Sequence, residues 1–476
     1  MVALSFSNIL GSPIVFRRIT SSTTALLALT VCWLLSEEVL SFPAKPNIIY
    51  ILADDLGYGD LSCYGQGILS TPHIDRLARE GLRFTQHYAG ATVCAPSRCV
   101  LMTGLHTGHC RIRNNGRYTL AAEDVTVAEV LQKAGYRTGC VGKWGVGRPP
   151  PEDPNRNGFD YFYGYVSMWH AHNCYPEFIV KNGARVPLRN VLHEEWAQRS
   201  REGEGVARRR VDYVPDLVTR EALDFMERNR ARPFFLYYAL NVPHANNEGG
   251  KEGMEVPTYG EFAARDWPAA EKGFAAMIRN IDNDVGKLIA KLKDLGLDEK
   301  TLVIFTSDNG PHQEGGHRMD FFDSNGPLRG FKRDLYEGGI RVPMIARWPG
   351  TITANATSDH ISAFQDMLPT FAELAGVAAP PSDGISMLPT LTAHGTGQLQ
   401  HPYLYWEFPR RQVYRAVRQG RWKAVLYPAK GLAGGPIQLF DLSKDPGEQD
   451  DVAAKHPKRM AEMVRLLERS HTELER

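Results

Sequence analysis

The sequence predicts an α/β protein: a large mixed, mostly parallel sheet flanked by helices, followed by a smaller C-terminal α+β subdomain. Apolar runs without interruption recur at residues 47–53, 233–240 and 301–307, as in strands buried on both faces of a parallel sheet. Segments with helix start and stop residues lie between such runs, the alternation of an α/β domain. Beyond a Pro- and Gly-rich stretch at 376–397, segments at 403–408, 414–427 and 438–442 read as a short antiparallel sheet. A terminal helix over 457–474 closes the chain.

Length and charge narrow the class. The 476 residues suffice for a large core, and 43% hydrophobic with 23% charged content describes an ordinary globular chain. A formal net charge of +1 gives no overall field for nucleic acid or an anionic membrane. All seven Cys lie within the first 174 residues. Apart from Cys32 in the leader and Cys94, five remain, so no disulfide framework is indicated, with room for one or two bridges. Arg17 and Arg18 precede an apolar run at 25–35 that is short for a bilayer span. We read residues 1–44 as a signal peptide, with export to the periplasm or extracellular space and no stable membrane anchor. Residues 45–394 then form a catalytic domain and 395–476 a C-terminal subdomain.

In chain order, the 47–53 strand runs into Asp54 and Asp55. Alone, two acids after a strand are an ordinary turn; at the carboxyl end of a parallel strand they are also candidate ligands for a hard cation. A helix starting at Pro72 and ending before Gly81 leads to a strand at 82–88. A loop delivers Cys94-Ala95-Pro96-Ser97-Arg98, which starts a short helix. A thiol at a helix start is more often packed than reactive. Thr126 caps the next helix, a strand at 136–141 follows, and Lys143 lies at its end. Residues 153–165 are aromatic and loop-like, His170 and His172 follow, and the run 199–210, with five Arg, reads as a solvated loop. A helix at 215–228 precedes the 233–240 strand, which ends near His244. A long amphipathic helix over 269–295 precedes the 301–307 strand, which ends on Asp308 and Asn309. Lys332 sits in a Gly-rich stretch, and a helix over 364–374 ends the large domain.

Asp54, Asp55, Asp308 and Asn309 together offer oxygen ligands suited to Ca2+ or Mg2+ rather than Zn2+. Such a cation polarises a sulfate or phosphate oxygen, and Arg98, Lys143 and Lys332 would neutralise the rest of a transferring anion.

The motifs resemble those of the type I sulfatases, in the arylsulfatase A-like group of the alkaline phosphatase superfamily. They are Asp54-Asp55-Leu56-Gly57-Tyr58-Gly59-Asp60, Cys94 to Arg98, Gly142-Lys143-Trp144, Val242-Pro243-His244, Asp308-Asn309-Gly310, and Gly330-Phe331-Lys332 followed by Glu337 to Pro343. The resemblance implies an alkaline phosphatase-like sheet and a sulfatase acting on an aryl or carbohydrate sulfate. It implies that Cys94 is converted to Cα-formylglycine by a formylglycine-generating enzyme. Asp54, Asp55, Asp308 and Asn309 would then bind Ca2+, with Mg2+ as second choice, together with the modified residue 94. The aldehyde hydrate would attack sulfur with one hydroxyl and expel sulfate through the other. Arg98 would hold the hydrate, Lys143 and Lys332 would grip sulfate, and His244, with Lys332, would protonate the leaving oxygen.

One position departs from the family pattern. Many members carry His two residues after the Lys of the Gly-Lys-Trp motif, as a candidate base for the resetting step; here it is Gly145. His170 and His172 are alternative bases, or the step proceeds without one. Two other functions remain in view: a phosphate mono- or diester hydrolase on the same scaffold, and a non-catalytic polyanion-binding relative.

Overall fold

The computed structural model describes residues 45–115, 118–148, 154–200, 202–410, 413–427 and 435–473. The expected signal peptide and its cleavage region before residue 45 lie outside the described residues. Residues from Lys45 onward form one compact unit. Among the described residues no helix is long and apolar enough to cross a membrane.

Among the described residues thirteen strands precede residue 364: β1 (Asn47–Asp54), β2 (Leu82–Tyr88), β3 (Arg137–Lys143), β4 (Tyr161–Tyr165), β5 (Phe178–Lys181), β6 (Ala184–Pro187), β7 (Val191–Leu192), β8 (Ala207–Arg209), β9 (Phe234–Pro243), β10 (Thr301–Ser307), β11 (Arg341–Arg347), β12 (Ala356–Ser358) and β13 (Ser362–Ala363). Eleven of them build one sheet in the order β12-β2-β11-β10-β1-β9-β3-β4-β5-β6, with β13 beside β2. The centre is parallel: β1 lies between β10 and β9, and β3 continues beyond β9. The antiparallel strand β11 follows β10 on the other side.

The apolar runs explain that centre. Every residue of β1, β9 and β10 is buried. Alternate side chains point to opposite faces. Ile49 and Ile51 join Val218 and Phe225 of the Val214–Arg228 helix and Phe274 and Ile281 of the Ala269–Asp294 helix. Tyr50 on the other face meets Phe364 and Phe371 edge-on at 6.5 and 6.1 Å. Each large apolar side chain so buried contributes about 1.5–3 kcal/mol. Because β1, β9, β10 and β3 run in parallel, their carboxyl ends gather at one edge of the sheet, where ligands bind in open α/β folds.

The second sheet is antiparallel, with β14 (Leu404–Pro409), β15 (Val413–Gln419), β16 (Trp422–Leu426) and β17 (Ile437–Asp441) in sequence order. Trp406, Phe408 and Phe440 pack on Tyr88, Val93 and Ile340. Tyr405, Val417 and Leu439 pack on Met463 and Leu466 of the Pro457–Arg469 helix.

Several local expectations change. The aromatic stretch near 161–165 is strand β4, paired in parallel with β3. Close backbone approach makes this pairing work: a Cβ at Gly164 would lie 1.9 Å from the Gly142 carbonyl oxygen. Residues 178–187 form the β5–β6 hairpin, part of the 199–210 run is strand β8, and 376–397 contains the short helix Leu388–Thr392. All six described cysteines are free, so no bridge occurs among the described residues.

Candidate active site

The strand ends deliver the site. Asp54 closes β1, and Asp55 follows in a left-handed conformation, with φ of 65°. Backbone strain of that kind in a non-glycine residue turns its carboxylate back toward β10. There Asn309 Nδ2 donates to Asp55 Oδ1 at 2.7 Å, and the Asp55 amide donates to Asp308 Oδ1 at 3.1 Å. Asp54, Asp55, Asp308 and Asn309 are fully buried. The four side chains expected to share a cation therefore do converge.

Three cations surround them. Lys143 at the end of β3 donates to Asp54 Oδ2 at 2.5 Å. Arg98 Nε and Nη2 donate to Asp308 Oδ2 at 3.0 and 2.8 Å, and its Nη1 donates to the Lys143 carbonyl at 2.6 Å. Lys332 donates to Asp55 Oδ2 at 2.7 Å. With Asp54, Asp55 and Asp308 matched by these cations, a divalent metal would leave the cluster net positive and receptive to an anion.

Cys94 is the first residue of the helix Cys94–Thr103, and Arg98 points into the site one turn later. Gly104 ends the helix in the left-handed conformation. Ser97 Oγ accepts from the Gly90 amide at 3.1 Å and so fixes the approach to the helix. Burial pushes the Cys94 thiol up, Asp54 and Asp308 push the same way, and Lys143 and Lys332 only partly oppose them. Cys94 as such carries little thiolate at neutral pH.

His244 follows β9. Its Nδ1 lies 2.6 Å from the Ala245 carbonyl and donates there, so Nε2 of the neutral ring accepts from Lys332 Nζ at 3.0 Å. Burial, then the Lys332 charge, lowers His244 to about 3. Lys332 also donates to Glu314 Oε2 at 2.9 Å. His172 stacks on His244 with ring centres 4.8 Å apart and pairs with Glu248 at 3.2 Å, on the His244 side of the site. His170 is buried beneath, with Nε2 3.0 Å from the Phe178 carbonyl, and takes no part in the cluster. Gly145, with φ of 78°, leaves its position without a side chain; a Cβ there would lie 3.2 Å from Arg98 Cδ.

Glu314, His312 and Asn115 join the site without having been singled out in the sequence. The first two follow the β10 end by a few residues, so inspecting every polar residue beyond a strand end would have found them. Asn115 comes from a loop with no motif of its own, and its Nδ2 lies 3.6 Å from Cys94 Sγ.

The donor set fits a hard cation. Asp54 Oδ1 and Asn309 Oδ1 are buried oxygens without a hydrogen-bond partner, an arrangement that costs free energy unless something positive meets them. Burial, with Asp54 close by, pushes Asp308 up to about 7 despite Arg98. Burial also opposes ionisation of Asp54, but Lys143, His244 and Arg98 hold it well below the usual carboxylate range.

Similarity to known proteins extends along most of the chain. The sulfatase family model matches residues 46–377, and a second, described as N-sulphoglucosamine sulphohydrolase, C-terminal, matches 329–476. Arylsulfatase A of Homo sapiens is 36% identical over 455 residues, covering 86% of this chain and 83% of its own. N-acetylgalactosamine-6-sulfatase of Mus musculus is 31% identical over 487 residues, covering 90% and 86%. The solved structure of Ps i-CgsB in complex with k-i-k-neocarrahexaose superposes with a TM-score of 0.74 at 29% identity, covering 90% of this chain and 92% of that one. Strand-end residues, family match and relatives along most of the length agree: this chain belongs to the sulfatases, in the arylsulfatase-like part of the alkaline phosphatase superfamily, and is a sulfatase enzyme.

Proposed function

We propose that this sulfatase works with residue 94 oxidised to Cα-formylglycine and with Ca2+ held by Asp54, Asp55, Asp308, Asn309 and the modified residue. One juxtaposition carries the reading: a buried thiol that is a poor nucleophile starts its helix beside a carboxylate cluster with buried oxygens that lack hydrogen-bond partners. The hydrated aldehyde supplies, on one carbon, a hydroxyl to take up sulfur and a second to release it again. Ca2+ held by these residues would supply positive charge to a bound sulfate ester; the all-oxygen donors suit it, with Mg2+ as second choice.

The chain's own groups do the rest. Arg98, anchored on Asp308 and the Lys143 carbonyl, orients the residue-94 hydroxyls. Lys143 and Lys332 hold sulfate oxygens. Lys332 Nζ and His244 Nε2 share a proton across 3.0 Å and pass it to the leaving oxygen. Asp55 and Glu314 keep the Lys332 ammonium in place.

We assign a sulfated carbohydrate or aryl sulfate as substrate, supported by the relative named N-acetylgalactosamine-6-sulfatase and by the k-i-k-neocarrahexaose in the solved neighbour. Loops at 145–210 and 246–267 would select among such substrates. We further propose export through residues 1–44, processing by a formylglycine-generating enzyme, and division of the mature chain at 394/395 into catalytic domain and C-terminal subdomain. Mass spectrometry of the Cys94 peptide from active enzyme tests the core of this reading: an aldehyde supports it, and an unmodified thiol overturns it. Assays of sulfate release beside phosphate esters test the reaction, with sulfate esters turned over faster.

A further inference from the structure

The Cys94–Thr103 helix receives its first cap from elsewhere in the chain. Val93, in the N-cap position, is extended and offers no side-chain acceptor. Asn115 Oδ1 instead accepts the Ala95 amide at 3.2 Å, while Nδ2 of the same carboxamide lies 3.6 Å from Cys94 Sγ. A single side chain thus spans the helix start and the reacting side chain.

The segment before it is tightly held. Arg113, buried, reaches Glu407 at 3.1 Å and donates to the Thr472 carbonyl at 2.7 Å. Asn114 Nδ2 donates to the Pro409 carbonyl at 2.7 Å, and its Oδ1 accepts the Asn115 amide at 2.7 Å. Strand β14 and the residues after the last helix therefore fix where Asn115 points.

We propose that Asn115 is a further catalytic residue: its Nδ2–H donates to an oxygen of the processed residue 94 and stabilises the negative charge that develops there during sulfate release. The inference rests on the formylglycine reading above. In the releasing step the side-chain carbon bears a hydrogen, a hydroxyl and a sulfate-ester oxygen. The hydroxyl proton passes to solvent, and the freed electron pair forms the C=O bond. The bond from carbon to the ester oxygen breaks, and sulfate leaves with that pair. Water then adds across C=O and restores the hydrate. A carboxamide cannot serve as the base, but a donor aimed at the developing alkoxide lets water suffice where Gly145 places no imidazole.

Asn115→Asp separates this role from capping. The carboxylate keeps an acceptor for the Ala95 amide, where a negative charge at a helix start is favourable, and removes the donor. Wild type, N115D and N115A are purified and compared by melting temperature, by aldehyde content of the residue-94 peptide, by steady-state kinetics with an aryl sulfate, and by rapid-quench mass spectrometry. For N115D we expect an unchanged melting temperature and aldehyde content. Its kcat should fall by about 10²-fold, as for loss of one oxyanion donor. KM should fall in parallel, leaving kcat/KM nearly intact, and the residue-94 peptide should accumulate bound sulfate. N115D with full aldehyde content and kcat within about twofold of wild type overturns the proposal and leaves Asn115 a cap. So does an equal loss of kcat and kcat/KM with no sulfated peptide. Wild type without aldehyde overturns the formylglycine reading itself, a result distinct from either.

Discussion

At the residue scale, function depends on what Cys94 is not. Burial beside Asp54 and Asp308 pushes its thiol up, so the helix start and Arg98 do not make it a thiolate nucleophile. Cys94→Ser keeps size and burial but, with its hydroxyl unoxidised, presents a plain alcohol in place of the proposed aldehyde hydrate. Its turnover should fall by about 10⁴-fold or more in a sulfate-release assay, as for loss of a nucleophile. Any sulfate it takes up should stay on the residue-94 peptide, because a serine ester has no second hydroxyl on that carbon. The metal prediction rests on Asp54 Oδ1 and Asn309 Oδ1, buried and without a hydrogen-bond partner. Adding Ca2+ to chelator-treated protein should raise the melting temperature, by about 2.7 kcal/mol of stability at a concentration 100 times Kd. Asp308→Asn should abolish that rise and lose bound calcium by elemental analysis. Asp54, Asp55, Asp308, Asn309, Lys143, His244 and Lys332 were legible because each follows a strand end or sits in a dense motif. Asn115 was not, since its contact with Cys94 exists only after two loops are brought together.

At the scale of elements, parallel strands bring their carboxyl ends together, and the loops after them then need unusual backbone. Gly145, after β3, has φ of 78° and leaves 3.2 Å between a would-be Cβ and Arg98 Cδ. Gly145→Ala should therefore cost about 1–2 kcal/mol of stability, from the left-handed conformation alone, in a denaturant titration. It should also lower kcat, because the methyl group presses on the guanidinium that is anchored to Asp308. Unchanged stability and kcat would show that the loop relaxes around the methyl at no cost. The same scale shows why some elements were readable and others not. Residues 82–88 and 301–307 are strands over the expected spans, and the helix expected at 215–228 begins one residue earlier, because periodicity and stop signals are local. The β5–β6 hairpin, β12 and β13 are two to four residues long and owe their conformation to pairing with neighbours, which no local pattern encodes.

At the scale of the whole molecule, one buried charge cluster ties the second sheet to the first. Glu337, from the Glu-Gly-Gly turn before β11, accepts from Lys423 of β16 at 2.9 Å and from the Tyr88 hydroxyl of β2 at 2.6 Å. Lys423 Nζ also lies 2.9 Å from Glu448 Oε1, and the Glu337 amide donates to Glu448 Oε2 at 2.6 Å. Two acids thus share one lysine. Burial works to raise Glu337, but Lys423, Arg341 and Arg418 hold it at about 2. Burial, with Glu337 opposing ionisation, pushes Glu448 up to about 7 despite Lys423. The folded value of Glu448 is above its unfolded value of 4.5, so its contribution to stability is complete below that value and lost as pH rises through 7. The full effect is on the order of 3 kcal/mol. Glu448→Gln, which keeps an acceptor for the Glu337 amide and has no charge to gain, should melt close to wild type at pH 5 and above it at pH 8. Lys423→Met should instead lose about 3–5 kcal/mol at neutral pH, because it leaves Glu337 buried and ionised without the nearest of its cations. Parallel pH profiles for wild type and Glu448→Gln would mean that Glu448 stays ionised in the folded chain, with Lys423 balancing both acids.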